Sequence, residues 1–295
     1  MRARTVAWNG IRVEVPGAWE LSAIAQRYLA WESQGQPAME LRWNRIRGPF
    51  SFERTLKGLW RGRFRRGSGG FIPWLLPEAW TRILAHHRMQ GFGWQTPQIK
   101  AHGLLLHCRR CATATLIQVF DGFAGSPVPD HQLWESLLAG FQDHENRDEQ
   151  RLWRIYDLQA RLPEPFDLKA FQFQPGHFRL EFTETGNHLT LHRWCPAAVL
   201  LGDTDLKGFA LGQGLLAGSG SQPQVESQGR RLSWTDRPEA CSRLAFWRRQ
   251  PEHRQGRIWH LEEANRILGL VLAGKPPLDA AQFNDLAANY GLAAF

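Results

Sequence analysis

The sequence predicts an α+β protein made of two duplicated α/β-sandwich domains, each an antiparallel sheet with flanking helices in the order βββ-α-ββ-α. The segment IRVEVPGAWEL at 11–21 is matched by LQARLPEPFDL at 158–168, an offset of 147. Likewise LKGLW at 56–60 is matched by LKGFA at 206–210, an offset of 150. A third match, at an offset of 130, pairs apolar residues near the end of each copy: Leu137, Leu138 and Phe141 with Ile267, Leu268 and Val271. Matches in the same order are typical of a duplicated unit.

Composition indicates a folded, soluble protein. The chain has 295 residues, of which 43% are hydrophobic and 22% charged, and this length is enough for two domains. The N-terminus lacks the apolar region of a signal peptide, and no stretch approaches the length of a membrane span. Four cysteines do not suggest a disulfide framework, so we expect a cytoplasmic protein.

The first copy, 1–142, is expected to open with three strands. Apolar residues alternate at 11–15, and strands also fit 28–31 and 39–43. A helix follows Ser51, with apolar Phe52, Leu56, Leu59 and Trp60 along one side. Strands at 103–107 and 113–120 and a closing helix from about Asp130 complete the copy.

The second copy, 151–275, repeats this order. Strands at 178–182 and 189–191 flank Gly186-Asn187, a typical hairpin turn. Ile267, Leu268, Val271 and Leu272 are expected on its closing helix. The segment 143–150 has no apolar residue and serves as the boundary. A C-terminal helical extension, 276–295, contains a short helix, 279–289, that Gly291 can end.

The opening strand of each copy ends in V-P-x-x-W or L-P-x-x-F, at Pro16 and Pro163. Together with the late hairpin and closing helix, this pattern resembles the PsbP and Mog-type α/β sandwich over both halves of the chain. The resemblance implies a partner-binding role, because members of that group mostly bind other proteins and share no catalytic constellation. It also implies that the tandem acts as an intramolecular pseudo-dimer.

One segment carries the net charge of the chain. Between Arg42 and Arg66 there are nine basic residues and one acidic residue, whereas the rest of the chain is neutral. Four of the basic residues have the spacing that places them on one face of the first helix, opposite its apolar residues: Arg54, Lys57, Arg61 and Arg65. The aligned positions of the second copy hold Thr204, Lys207, Leu211 and Leu215. The stripe is either a surface for an anionic partner, protein or nucleic acid, or a solvated face.

The first copy also contains a Trp-rich insertion at 67–97. Its aromatic residues include Trp74, Trp80 and Trp94, and Pro77 can start a short helix within it. Tryptophans in loops are favoured interface residues, which makes these three candidates for partner binding. The alternative is a lid that packs on its own domain and covers a sheet edge.

The pair Cys108 and Cys111 is the candidate for metal or thiol chemistry. A structural zinc site requires four ligands, usually two such pairs, and the sequence supplies one. His102 and His107 could complete the set, although His107 would point away from its neighbour in a strand. The CxxC is followed by a strand rather than a helix, which argues against a thioredoxin-like role. We therefore expect no cofactor, with buried or incidental thiols as the simplest interpretation.

No nucleophile elbow, phosphate loop or zinc-protease motif is present in the sequence. We expect a non-enzymatic binding or adaptor protein that uses the basic helix and the Trp-rich insertion. The alternative is a zinc- or thiol-dependent protein that uses Cys108 and Cys111. A ligand pocket between the two copies is a third possibility.

Overall fold

A computed structural model describes residues 3–63, 71–73, 75–96, 99–121, 130–144, 150–216, 224–226, 229–236, 253–275 and 277–293. The chain divides into two compact units, Met1–Asp148 with Leu152–Tyr156, and Glu149–Arg151 with Asp157–Ala294. The described strands form antiparallel sheets, and the helices are few and mostly short. None of the described helices combines the length and apolar character that a bilayer crossing needs.

The first unit is built on one large sheet. Its elements, in chain order, are β1 (Ala3–Trp8), β2 (Ile11–Pro16), β3 (Glu20–Ala25), β4 (Tyr28–Ser33), β5 (Gln36–Arg45), α1 (Phe52–Arg63), β6 (Phe71–Pro73), α2 (Glu78–Ile83), β7 (His87–Gln95), β8 (Lys100–Cys108), β9 (Thr113–Asp121), α3 (His131–Ala139) and β10 (Gln150–Ile155). The sheet has seven strands in the order β3-β4-β5-β9-β8-β7-β6. Separately, β1 pairs with β2 and with β10.

The second unit has a sheet of the same size. Its elements are β11 (Leu158–Pro163), β12 (Asp167–Gln174), β13 (His177–Glu184), β14 (Asn187–Trp194), α4 (Ala197–Leu201), α5 (Leu206–Gly212), β15 (Gln224–Glu226), β16 (Arg231–Asp236), β17 (His253–Leu261), β18 (Arg266–Gly274), α6 (Ala280–Ala288) and β19 (Tyr290–Leu292). The seven strands run in the order β12-β13-β14-β18-β17-β16-β15, and β11 pairs with β19.

The two large sheets have the same strand order when the strands of each sheet are numbered along the chain within that sheet. The matched segments after β2 and β11 also make the same turn. The Pro16 carbonyl accepts from the Trp19 amide at 2.9 Å, and the Pro163 carbonyl accepts from the Phe166 amide at 3.1 Å.

A glycine lies under an aromatic ring at the same place in each sheet. A Cβ on Gly103 of β8 would lie 2.2 Å from Phe92 of β7, and a Cβ on Gly256 of β17 would lie 2.0 Å from Trp234 of β16. Neither position has room for a side chain. These two positions explain why the sheet tolerates glycine in central strands.

The element pattern differs from βββ-α-ββ-α, because five strands precede the first helix of the first unit and four precede that of the second. The prediction of a closing helix around Ile267, Leu268 and Val271 is wrong, since these residues lie in β18. A short, continuous apolar run fits a buried strand as well as a helix. Hydrogen bonding to β14 and β17 on both sides makes it a strand. The helix that follows the last strand of the second sheet is α6, and Asp279 caps it as Asp130 caps α3.

The Trp-rich segment is part of the first sheet rather than an added loop. It contributes β6, α2 and β7, and β7 pairs with β8 along nine residue pairs. The second unit has β15 and β16 in the corresponding places. Pairing within the sheet therefore accounts for the position of this segment.

Candidate metal centre

Two cysteines, an aspartate and a histidine come together in the first unit. Cys108, Cys111, Asp143 and His144 each offer one ligand atom, and these atoms all lie within 4.8 Å of one another. The Cys108 sulfur is 3.6 Å from His144 Nδ1, and the Cys111 sulfur is 3.5 Å from Asp143 Oδ2. The fold thus brings a pair of cysteines together with an Asp-His pair that lies 32 or more positions further along the sequence.

The β8–β9 hairpin presents the two sulfurs. Cys108 ends β8, and the turn closes with Ala112 at a φ of +56°. The Ala112 amide donates to the Cys108 carbonyl at 3.2 Å. The backbone of Arg110 and Cys111 acts to lower the pKa of the Cys108 thiol, against the larger effect of burial. Amide donors aimed at sulfur favour the thiolate, which is the form that binds metal.

The end of α3 places the other two ligands. After α3 the backbone of Gln142 exchanges hydrogen bonds with Arg12 of β2, at 2.8 and 2.9 Å. Gly140 makes this approach possible, because a Cβ there would lie 2.5 Å from Cβ of Glu14. The chain then passes directly to Asp143 and His144 beside the hairpin.

Two imidazoles hold the Asp143 carboxylate. His87 Nε2 is 3.0 Å from Asp143 Oδ2, and His144 Nδ1 is 2.7 Å from Oδ1. An ionised carboxylate only accepts, so both rings donate in this arrangement. Burial alone would raise the pKa of Asp143, but the bonds and charges of His87 and His144 outweigh it and hold that pKa below its usual value. Asp143 is therefore ionised at neutral pH.

The Cys108 thiol, unlike Asp143, is held in its protonated form. Burial, with the nearby Asp143 charge, raises its pKa to about 12. Without a cation the sulfur stays protonated, whereas a bound divalent cation would displace that proton. A buried carboxylate beside two thiols is thus suited to a positive ion.

Two distances between donor atoms match those of a tetrahedral zinc site. With Zn–S near 2.3 Å and Zn–N or Zn–O near 2.0 Å, tetrahedral geometry separates sulfur from nitrogen or oxygen by about 3.5 Å. The two sulfur distances, 3.6 and 3.5 Å, match this separation. His144 Nδ1 and Asp143 Oδ1 are 2.7 Å apart as hydrogen-bond partners, so a bound ion would take the place of the proton on Nδ1 and these two atoms would move apart. Thiolates select zinc or another soft transition ion over Mg²⁺ and Ca²⁺, which prefer oxygen ligands.

The sequence pointed to the cysteines but not to their partners. Asp143 and His144 fall in the charged segment that was assigned to the domain boundary. His102 and His107, the partners considered from sequence, are not in the group, and His107 stacks on Phe50 at 4.4 Å between ring centroids. The available signal was an Asp-His pair at the end of a helix.

The basic residues predicted to bind a partner do not belong to this group, and only two of them have described side chains. Arg54 and Lys57 are exposed on α1, while Leu56 faces the core and Lys57 pairs with Glu53 at 2.6 Å. The side chain of Arg61 and the whole of Arg65 and Trp74 lie outside the described residues.

The two remaining tryptophans are core residues, which corrects their assignment to an interface. Trp80 is fully buried beside Trp134. Trp94 is 6% exposed and donates its indole N–H to Gln118 at 2.9 Å. Both rings are packed inside the first unit and are not available to a partner at its surface.

No family model and no curated protein matches this chain. Solved structures give weak likenesses. A variant of the protein Mog1 shares 8% identity over 48% of this chain and 95% of its own, with a TM-score of 0.33. An immunity protein, TplEi, of the T6SS from Pseudomonas aeruginosa shares 10% identity over 98% of this chain and 97% of its own, with a TM-score of 0.35. A protein from Bacteroides thetaiotaomicron shares 10% identity over 55% of this chain and 53% of its own, with a TM-score of 0.30. At such TM-scores these likenesses carry no argument about function.

Proposed function

We propose that this chain is a metal-binding protein whose first unit holds one Zn²⁺ ion through Cys108, Cys111, Asp143 and His144. The convergence of four donor atoms of suitable chemistry within 4.8 Å supports this most strongly. Four protein ligands fill a tetrahedral shell, and closed sites of this kind are structural rather than catalytic. The ion joins the β8–β9 hairpin to the segment after α3. The protein then acts by binding and not by catalysis.

The site belongs to one unit. Within the part of the chain that the structure describes, no second group of this kind is found, although the second sheet has the same strand order. The sheet therefore does not need the ion. What the ion organises is the turn between β8 and β9, where Arg109 and Arg110 are exposed.

The test is the metal content of the purified protein after reconstitution with Zn²⁺. We expect one zinc per chain, and a thiolate-to-metal charge-transfer band when Co²⁺ replaces it. Cys108→Ser and Asp143→Asn should each lose the ion. Cys195→Ser changes a free cysteine of the second unit and should keep it. Absence of stoichiometric zinc, or a Co²⁺ spectrum without thiolate character, would refute the proposal.

A second candidate function is binding of an anionic partner through α1. It is favoured by the exposure of Arg54 and Lys57 on the side of α1 opposite the buried Leu56. Reversing Arg54, Lys57, Arg61 and Arg65 to Glu should abolish salt-sensitive capture of the partner, because exposed charges act through a screened field. Lys207→Glu on α5 is the control. Nuclease treatment separates nucleic acid from protein. Unchanged capture by the folded quadruple variant would leave the stripe as a solvated face.

We also infer that the two units arose by duplication and form a covalent pseudo-dimer. The shared strand order, the two aromatic-over-glycine pairs and the two Asp-capped helices support this. An experimental structure in which the two sheets differ in strand order would contradict it.

A further inference from the structure

A cavity of about 260 Å³ lies in the second unit, whereas the candidate metal centre is in the first. Its floor is formed by β13 and β14, and the turn after α5 forms a wall. One water needs only about 10–15 Å³ of such volume, so the cavity can hold a small molecule. Its lining is rich in nitrogen and comprises His177, Arg179, Thr190, His192, Trp194, Gln213, Gly214, Leu215, Arg254 and Val271.

Three parallel rings make the floor rigid. His177 Nε2 and His192 Nδ1 are 3.0 Å apart, so one proton joins the two imidazoles. The Trp194 ring is parallel to both, with centroid distances of 5.0 and 4.8 Å. Its indole packs where a Cβ on Gly269 would lie 2.7 Å away, and Phe209 of α5 meets it edge-on. A flat, fixed surface of this kind is preorganised for a ligand.

The rings do not supply the positive charge. Burial, followed by the charges of His177 and Arg179, lowers the pKa of His192 to about 3. Burial and Arg179 also lower the pKa of His177. The two arginines therefore carry the charge of the cavity at neutral pH.

The polar groups of the lining are incompletely paired. Arg179 pairs with Glu181 at 2.9 Å, whereas Arg254 has no ion-pair partner among the described residues. The Trp194 indole N–H is buried and has no acceptor among them either. No aspartate or glutamate is among the described residues that line the cavity. The indole nitrogen has almost no accessible surface in the cavity, so the unpaired guanidinium of Arg254 is the group there that calls for an anionic acceptor.

We propose that this cavity binds the oxyanion group of a small molecule, a phosphate or a carboxylate, with Arg254 and Arg179 as its charged donors. A guanidinium matches both groups because its parallel N–H donors can bind two oxygens at once. Thr190 and Gln213 supply neutral hydrogen-bonding groups at the same wall.

The experiment measures the melting temperature of the full chain against inorganic phosphate in one series and succinate in another, at constant ionic strength. Binding to the folded state alone raises the melting temperature in a saturable way. We expect this with at least one of the two anions, and at least a tenfold loss of affinity in Arg254→Gln. Arg231→Gln changes an exposed arginine of β16 and should bind normally.

A second readout uses Trp194. Anion binding should change tryptophan fluorescence in the wild type, and this change should be smaller in Trp194→Phe. Arg179→Gln provides an independent variant should Arg254→Gln fail to fold. No saturable response to either anion, or an equal response in Arg254→Gln, Arg179→Gln and the control, would overturn the proposal. Cys108→Ser should bind the anion as the wild type does, which separates this result from that of the metal test.

Discussion

Asp143 shows how one buried carboxylate can organise a site. Its two oxygens accept from imidazoles on different segments, His87 at the start of β7 and His144 beside it in sequence. The side chains of Asp143 and His87 are 1% and 6% exposed, so their hydrogen bond is protected from water. His87 lies opposite Cys108 in the β7–β8 register and positions the carboxylate without being one of the four ligands.

We predict that His87→Ala weakens Zn²⁺ binding by about 10–100-fold, because the Asp143 carboxylate would lose the hydrogen bond that holds it in its orientation toward the metal. Competition with a chromophoric chelator measures the dissociation constant. His87→Gln keeps a donor and should recover part of the affinity. His107→Ala, outside the group, is the control. Equal affinities in wild type and His87→Ala would show that His87 does not position the ligand.

A second buried carboxylate makes the stability of the other unit depend on pH. Asp157 Oδ2 accepts from Nε of Arg193 and from Nε of Arg266, each at 3.0 Å. Burial would raise the pKa of Asp157, but the hydrogen bonds and charges of these arginines outweigh it and lower that pKa. The carboxylate therefore stabilises the fold above its unfolded pKa of about 3.9, and this contribution disappears as pH falls through the lower folded value.

We predict that Asp157→Asn lowers the free energy of unfolding by about 3 kcal/mol at pH 7, since it leaves a buried arginine without its counter-charge. Urea unfolding from pH 7 down to about pH 2 measures it. The difference from wild type should shrink below about pH 4. A difference that stays constant with pH would exclude the ion pair as its source.

At the scale of single elements, the sequence predicted the start of a helix or the position of a turn correctly where one residue determines it. Ser51 was predicted to cap α1, and its hydroxyl accepts from the Arg54 amide at 3.3 Å. The Gly186 turn was predicted, and Gly186 has a φ of +90° between β13 and β14. The strand β18 was misassigned because its buried faces erase the alternation that identifies a half-exposed strand.

Only two of the four residues of the candidate centre, Cys108 and Cys111, could be predicted from the sequence. The CxxC spacing is local and visible in the sequence. Asp143 and His144, in contrast, lie beside Cys108 and Cys111 only because the segment after α3 packs on β2. That packing depends on the absence of a side chain at Gly140, a property that one sequence does not reveal. The same limit applies to Trp80 and Trp94, whose burial follows from strand pairing and not from their type.

We predict that Gly140→Ala destabilises the first unit and weakens Zn²⁺ binding together, because its Cβ would overlap Glu14. The shift would move Asp143 away from the hairpin. Thermal melting and zinc affinity are the measurements. Gly58→Ala, where a Cβ meets nothing within 4 Å, is the matched control. It should leave zinc affinity unchanged and should not lower the melting temperature, because alanine favours a helix over glycine. Normal affinity in Gly140→Ala would show that the ligand segment does not depend on this contact.

At the scale of the whole molecule, the candidate metal centre and the cavity belong to different units. All four candidate ligands lie within Met1–Asp148, whereas the residues that line the cavity lie within Asp157–Ala294. The two sheets share a strand order but not these chemical groups. The chemical difference between the units therefore arises from side chains carried by sheets of the same strand order.

We predict that a chelator increases hydrogen exchange in the first unit selectively. Amides of β8, β9 and the segment around Gln142 should lose protection, because the ion fixes them to one another. Amides of β13, β14 and β18 should exchange at unchanged rates. Hydrogen exchange with mass spectrometry resolves the two sets. A uniform increase over both units would contradict a local role for the ion.

A metal ion bound by Cys108 and Asp143 would act as a removable cross-link. Holding these residues together closes a loop of about 35 residues, and by the chain-entropy relation for cross-links such a closure is worth about 4 kcal/mol. A disulfide bond gives the same advantage but is lost to thiol reductants. A thiolate–metal link survives reductants and yields to chelation, so the supply of zinc, and not the redox potential, would set how firmly the first unit is fastened.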